Sequence, residues 1–327
     1  MPDLITVGRV SLDLFSRDIG APFPDIRSFE TSVGGSPVNI AIGASRLGLR
    51  SLAFTAVGDD EVGRFVRRYL AREGVDTAHI AVKAGRRTGM AVVGVQPPDR
   101  FPLLFYRENP ADIHLSLDEA RALPLDEARA LQLSGTALSR GSAAEATLYL
   151  AERARQLPTT AFLDLDLRPD QWTHALAYGL RIRRLLPLCD CIIGTEEEFY
   201  ATLAPDPSAV MAGGAVPDQR ELDSLLDECA RQQTAALIVK RGAAGVSIWQ
   251  RESRVDVPGF PVEIVNTVGA GDGFASGLIC GWARGWGWAR AARFGNACGA
   301  LVVSRQGCAR ALPTLSEVEN FLARNSR

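Results

Sequence analysis

Short apolar runs rich in β-branched residues recur along the chain, separated by longer stretches whose apolar positions fall three and four apart. The runs "LITVGRV", "SLAFTAVG", "ALQLSG", "TAFLDLDL", "CDCIIG" and "ALIVKRG" predict strands. The stretches between them predict helices over about 37–48, 60–73, 142–156, 171–184, 219–233, 271–284 and 288–305. Strands that alternate with helices pair in parallel, because each helix carries the chain back to the end where it started. The expected architecture is therefore α/β, with a mostly parallel central sheet covered by helices on both faces. No internal repeat accompanies the alternation, so a solenoid is not expected.

Two regions break the pattern. Residues 12–33, "LDLFSRDIGAPFPDIRSFETSV", and 86–108, "RRTGMAVVGVQPPDRFPLLFYRE", read as strands and turns with no helix between them. The second predicts a hairpin turning at Pro97-Pro98-Asp99-Arg100. Small strands that pair with each other, away from the main sheet, predict a lid over a site.

Composition narrows the partners. With 327 residues, 46% of them hydrophobic, and a formal net charge of −2, the chain can bury one large core and carries no basic run suited to nucleic acid. No stretch reaches the roughly 18 apolar residues of a spanning helix, and "MPDLITVGRV" lacks the pattern of a signal peptide, so a cytoplasmic protein without membrane or nucleic-acid partners is expected. The cysteines at 189, 191, 229, 280, 298 and 308 lie mostly in apolar segments and are expected as buried thiols. His79, His114 and His174 are too dispersed for a metal site, and "WARGWGWAR" is expected to pack at a junction between two helices.

Two glycine-rich turns carry the chemistry. In "NTVGAGDGF" (266–274), Gly269, Ala270 and Gly271 precede a helix whose first-turn N–H groups can hold an anion at close range. A carboxylate beside a phosphate is repulsive, so Asp272 makes sense there only if a substrate hydroxyl must lose a proton as it attacks. Glycines at 273, 277, 281 and 285 form a stripe that predicts close packing of this helix on a neighbour. In "SVGGSPVNIAIGASRLG", Gly34-Gly35 opens a helix with Asn39 as its polar member, and Asp13 follows the first strand. Both suit ligand hydroxyls, although a satisfied buried amide also explains Asn39. A dinucleotide-dependent oxidoreductase is disfavoured by the absence of Gly-x-Gly-x-x-Gly near the first strand.

"GGSPVNIAIGASRLG" and "NTVGAGDGF" resemble the two signatures of the PfkB, or ribokinase-like, carbohydrate kinases, and their order and separation match over essentially the whole chain. The resemblance implies a single ribokinase-like domain spanning 1–327, three-layered α/β/α, with lid segments at about 12–35 and 86–109. It implies ATP and Mg²⁺ as cofactors, Asp272 as the base, and Gly269, Ala270 and Gly271 around the migrating phosphoryl group. Lys240, Gly242 and Gly245 of "VKRGAAGV", with Asn296, would line the ATP cleft. Glu198 of "GTEEEF" would support Mg²⁺ through water. Asp13, Gly34, Gly35 and Asn39 would hold the sugar.

"VGRVSLDLF", "PPDRFPLLFYRENPADIHL", "DLDLRPDQW" and "IIGTEEEF" are similar to the subgroup that phosphorylates 5-dehydro-2-deoxygluconate at C6 in inositol catabolism; the neighbouring subgroups act on 2-keto-3-deoxygluconate or fructose. A substrate acid needs a cation far from Asp272. Arg107 is the candidate, because a guanidinium fork matches a carboxylate bidentately. Arg168 could reach either the acid or the phosphates, or pair with Asp166 or Asp170; for Arg9 the resemblance implies a substrate contact, and a strand-end salt bridge explains it equally well. The family's Asn before the metal-supporting Glu is Thr195 here, which takes away the amide contact to the metal network, and its usual Asp opening the second signature is Asn266, which removes a charge often associated with a nearby monovalent cation. A homodimer through the lid strands is expected from their exposed edges and from the resemblance. A sugar-sensing module on the same fold is the non-enzyme alternative, and Asp272 argues against it.

Overall fold

A computed structural model of the chain describes residues 1–96, 100–232 and 236–325. The strands are β1 (Leu4–Val7), β2 (Ser11–Ser16), β3 (Phe29–Gly34), β4 (Ser51–Gly58), β5 (Ile80–Lys83), β6 (Gly89–Val93), β7 (Leu103–Tyr106), β8 (Ala130–Ser134), β9 (Thr160–Asp164), β10 (Cys191–Thr195), β11 (Ala236–Lys240), β12 (Val246–Gln250) and β13 (Ser253–Val257). The helices are α1 (Ser36–Arg46), α2 (Glu61–Arg72), α3 (Leu117–Arg121), α4 (Ala143–Ala154), α5 (Ala175–Ile182), α6 (Glu196–Leu203), α7 (Ser208–Met211), α8 (Gln219–Gln232), α9 (Ala270–Ala283), α10 (Trp288–Val303) and α11 (Leu315–Arg324).

Nine strands form one sheet in the order β13-β12-β11-β10-β9-β8-β1-β4-β5, parallel except where β12 and β13 return antiparallel. Alternate side chains of its strands feed opposite faces. Leu163, Ile192, Leu237 and Val239 pack towards Leu150, Tyr178, Phe199 and Leu226, whereas Phe162, Ile193 and Ile238 pack towards Ile40, Phe274, Leu278 and Ile279. The expected three layers result. All six cysteines are free and buried.

The glycine stripe does pack closely. A Cβ on Gly277 would come within 2.8 Å of Gly295 Cα, and one on Gly281 within 2.8 Å of Ala291 Cα, so α9 and α10 touch backbone to backbone. Gly285 lies beyond the helix, in the turn. The tryptophans of "WARGWGWAR" fill this junction: Trp282 and Trp288 stack edge-on against Phe162 at 5.3 and 6.2 Å, and Trp286 meets Phe294 at 5.5 Å.

The two helix-free regions form a second sheet, β3-β2-β6-β7, whose strands supply the expected lid. Asp13 pairs with Ser32 on one side and Ala91 on the other, so its side chain shares one face with Phe15, Val93 and Phe105. Of the expected turn at Pro97-Pro98-Asp99-Arg100, residues 97–99 lie outside the described residues; Gln96 and Arg100 form an antiparallel bridge on either side. The helix expected over 171–184 is shorter, because Pro169–Gln171 forms a separate turn and the His174 ring accepts a hydrogen bond from Leu176 N, capping α5. Helix α6 starts at Glu196–Glu198, the acidic run that the sequence suggests as a helix N-terminus, whereas α11 was not among the expected elements. Each opens with a Thr-x-x-Glu capping box, Thr195/Glu198 and Thr314/Glu317. Strands β1, β8, β9, β10 and β11 are parallel, so their carboxyl ends line one edge of the sheet, where such folds bind ligands.

Candidate active site

The loop before α9 turns at Gly269, whose φ is +87°; a Cβ there would lie 2.5 Å from Cys308 Sγ, so only glycine fits. Ala270, Gly271 and Asp272 make the first turn of α9. Gly271 faces a cation: a Cβ on it would sit 3.3 Å from Lys240 Nζ. Bare helix-terminal amides and an ammonium thus converge where an anion could lie.

Asp272 is held from α1. Asn39 Nδ2 donates to Asp272 Oδ2 at 2.8 Å, and Cys308 Sγ lies 3.8 Å from the same oxygen. Asn39 reaches it because Gly35, at φ +109°, starts α1 where a Cβ would come within 2.5 Å of Arg9 O. Asn39 Oδ1 is buried without a partner. Burial pushes the Asp272 pKa up, with the Asn39 hydrogen bond opposing. A carboxylate so placed is a stronger proton acceptor than one in water, as a general base requires.

Asp13 lies on the lid face turned towards this point. Ser11 Oγ donates to its Oδ1 at 2.7 Å, and a Cβ on Gly34 would approach Asp13 Oδ2 to 1.9 Å, so Gly34 is the space in which the carboxylate sits. Burial raises the Asp13 pKa, against the Ser11 hydrogen bond.

Three arginines gather above these groups. Arg107 donates from Nη2 to Asp112 Oδ1 at 2.8 Å and from Nη1 to Val10 O at 3.1 Å, while Asp112 Oδ2 accepts from Val10 N at 2.9 Å. Both terminal nitrogens of this expected acid reader are therefore engaged within the protein. Arg9 Nε lies 3.5 Å and Arg168 Nη2 3.1 Å from Asp166, and neither arginine donates a hydrogen bond among the described residues. Asp166 also accepts from Ser134 Oγ at 3.0 Å and Thr136 Oγ1 at 3.1 Å. Burial works against its charge, yet Arg9 and Arg168 hold its pKa below the usual carboxylate range.

At the carboxyl end of β11, Lys240 Nζ lies 3.7 Å from Asp164 Oδ1 and 3.6 Å from Glu198 Oε2. Burial opposes the lysine's charge, but Asp164 and Glu198 keep its pKa above the ordinary value. Asp164 is pushed up to about 7 by burial, with Lys240 opposing and Glu198 adding to the rise. Glu198 accepts from Leu167 N at 3.0 Å and Thr195 N at 2.7 Å, so it caps α6 and ties β9's exit loop to it. Gly245, at φ +93°, would place a Cβ 2.2 Å from Val257 O, and Asn296 Nδ2 donates to Val257 O at 3.2 Å and Pro258 O at 3.0 Å. These contacts fix the β11–β12 turn against the segment after β13. Gly242 faces open space.

The structure thus brings Asp272, Gly269, Ala270, Gly271, Asn39 and Lys240 to one place, with Asp13, Gly34 and Gly35 on the lid side and Gly242, Gly245 and Asn296 along one rim. The sequence reading passed over Asp164 and Asp112. Asp164 was legible as a carboxylate ending a buried strand, whereas Asp112, inside "RENPADIH", carries no local signal. Asn266 donates to Gly307 O at 2.9 Å and accepts from Val268 N at 3.0 Å, bracing the loop before the anion turn.

The chain matches the pfkB family carbohydrate kinase description over residues 1–315. A 5-dehydro-2-deoxygluconokinase from Geobacillus thermodenitrificans (strain NG80-2) is 35% identical over 326 residues, covering 98% of this chain and 93% of its own. The crystal structure of a PfkB protein from Polaromonas sp. JS666 superposes with a TM-score of 0.79 at 26% identity, covering 98% of this chain and 99% of its own. A fructokinase from Xylella fastidiosa, crystallised with bound ATP, gives a TM-score of 0.85 at 24% identity and 100% coverage of both chains, a likeness of fold.

Proposed function

This chain belongs to the pfkB family of carbohydrate kinases, and from that premise we propose that it transfers the γ-phosphoryl group of ATP to the C6 hydroxyl of 5-dehydro-2-deoxy-D-gluconate, a step of inositol catabolism. The observation that carries the kinase chemistry is the half-buried Asp272 carboxylate on a glycine-opened helix turn, held by Asn39 and facing the same space as Lys240. The name of the Geobacillus relative and the arginine cluster above Asp166 support a sugar acid as acceptor.

In this reading Asp272 takes the proton of the C6 hydroxyl as its oxygen attacks phosphorus in line with the departing ADP. The amides of Gly269, Ala270 and Gly271 and the Lys240 ammonium stabilise charge on the migrating group. Asp13, Asn39 and the Gly34-Gly35 turn orient the sugar, and Gly242, Gly245 and Asn296 border the nucleotide. Mg²⁺ keeps several waters and is carried mainly by phosphates, so few protein carboxylates suffice for it. Glu198 and Asp164 are the carboxylates placed to meet it, and the ion would neutralise phosphate charge. The outer face of the lid exposes Phe29, Leu104 and Tyr106, which supports a lid-to-lid homodimer. Among the described residues no helix is long and apolar enough to cross a membrane; a cytoplasmic location is part of the proposal.

The test is a coupled ADP-release assay with 5-dehydro-2-deoxygluconate, 2-keto-3-deoxygluconate and fructose side by side. The first acid is expected to show the highest kcat/KM, and a preference for fructose would overturn the substrate assignment.

A further inference from the structure

A guanidinium carries five N–H donors and stays charged at any physiological pH, so a buried arginine is normally surrounded by acceptors. Arg9 departs from that rule. It is 7% exposed, yet its Nε is buried without a hydrogen-bond partner, and its one close carboxylate is Asp166 at 3.5 Å. Asp166 is shared with Ser134, Thr136 and Arg168, so it cannot saturate Arg9. Arg168 Nε is likewise buried and unpartnered. The ring of Phe105, from lid strand β7, lies 5.5 Å from Arg9 Cζ and covers one face of the guanidinium, leaving the in-plane donors for something else. Burial pulls the Arg9 pKa down, with Asp166 opposing.

The neighbouring arginine shows what compensation looks like. Arg107 spends both terminal nitrogens within the protein, on Asp112 and on Val10 O, and Asp112 accepts from Val10 N, so the pair clamps both main-chain polar groups of Val10, the residue after Arg9, although Arg107 Nε has no partner among the described residues. The turn that carries Arg9 is therefore held rigid while its side chain is left unsatisfied.

We propose that Arg9 is the specificity-determining residue of the acceptor site: its free N–H groups donate to the carboxylate of the sugar acid, with Arg107 as the positioning residue that fixes the turn beneath it. The inference deepens the sugar-acid kinase reading and rests on it. A carboxylate offers the acceptors that Asp166 lacks, and Asp13, within electrostatic reach of Arg9, stands on the side where substrate hydroxyls are expected.

The experiment compares 5-dehydro-2-deoxygluconate with its analogue reduced at C1 to the primary alcohol, in wild type, Arg9→Met and Arg9→Lys. Wild type is expected to prefer the acid by about 100-fold in kcat/KM, the size of losing a partner from a desolvated charge pair. Arg9→Met should cut that preference below about tenfold through KM, with kcat at saturation falling far less, and Arg9→Lys should restore part of it. A purely structural role would lower kcat for both compounds in parallel and leave the preference intact, which overturns the assignment of Arg9 alone. A wild type that phosphorylates neither compound, or prefers the alcohol, sinks the sugar-acid reading itself. Should Arg9→Met fail to fold, Arg9→Lys carries the same comparison.

Discussion

Two guanidinium–carboxylate groups stand beside each other at the lid end of the sheet, and they differ in completeness. Arg107 and Asp112 form a closed pair, with the carboxylate shared only with the backbone of Val10. Arg9 and Arg168 divide a single carboxylate, Asp166, with two hydroxyls. Burial is the same for both, since Arg9 and Arg107 are each 7% exposed. Both Nε atoms lack a partner, so the difference lies in the terminal nitrogens: those of Arg107 are spent within the protein, as in a scaffold pair, and those of Arg9 donate to nothing among the described residues, which is why the substrate carboxylate is proposed there.

The largest effect expected is on the chemistry adjoining the open group. Asp272→Asn should lower kcat by roughly 10²–10⁴-fold, the usual worth of a general base, with the unfolding midpoint held or raised because a partly desolvated charge has been removed. Rates and denaturation curves on the same preparation check it, and a parallel loss of stability would blur the line between receptor and scaffold. Next comes the closed pair: Asp112→Ala strands Arg107 in a buried site and should cost about 3–5 kcal/mol of unfolding free energy by denaturant titration. A loss confined to acceptor KM would instead make Arg107 a ligand group.

The third prediction concerns pH. Asp164 stands at about 7, above the value of an unfolded aspartate, so the folded chain holds an extra proton between the two. Its contribution to stability is present at the acid end of that window and is lost as pH rises through about 7. Asp164→Asn should flatten this fall when unfolding curves at pH 5 and pH 8 are compared. The smallest effect belongs to a half-exposed pair far from both groups, Lys83 and Glu119 at 2.7 Å. Lys83→Ala should change stability by no more than about 1 kcal/mol, which calibrates the Asp112 result.

Much of this was legible in the chain. Helices α1, α2, α4, α8, α9 and α10 follow the apolar spacing to within a few residues, and the two glycine turns named Asp272 and Asn39 before any contact between them was visible. Other assignments depended on neighbours that spacing does not reveal. Arg107 looks like a free carboxylate reader until Asp112, five residues on, is folded back onto it by the turn after β7. Glu198 looks like a metal group, yet both its oxygens also accept backbone N–H groups, one from the distant Leu167. Its capping role was half visible as the Thr195-x-x-Glu198 pattern.

What the sequence determined by itself is whatever depends on a few consecutive residues: the alternation of strands and helices, the bare glycine turn that opens α9, the alternating faces of the lid strands. Hydrogen-bond saturation is not of that kind, because it sums donors and acceptors contributed by segments as far apart as Arg9, Arg107, Ser134 and Asp166. Only the tertiary structure could decide which arginine has its terminal donors spent within the protein and which does not, since a donor counts as free only after every surface packed against it is in place.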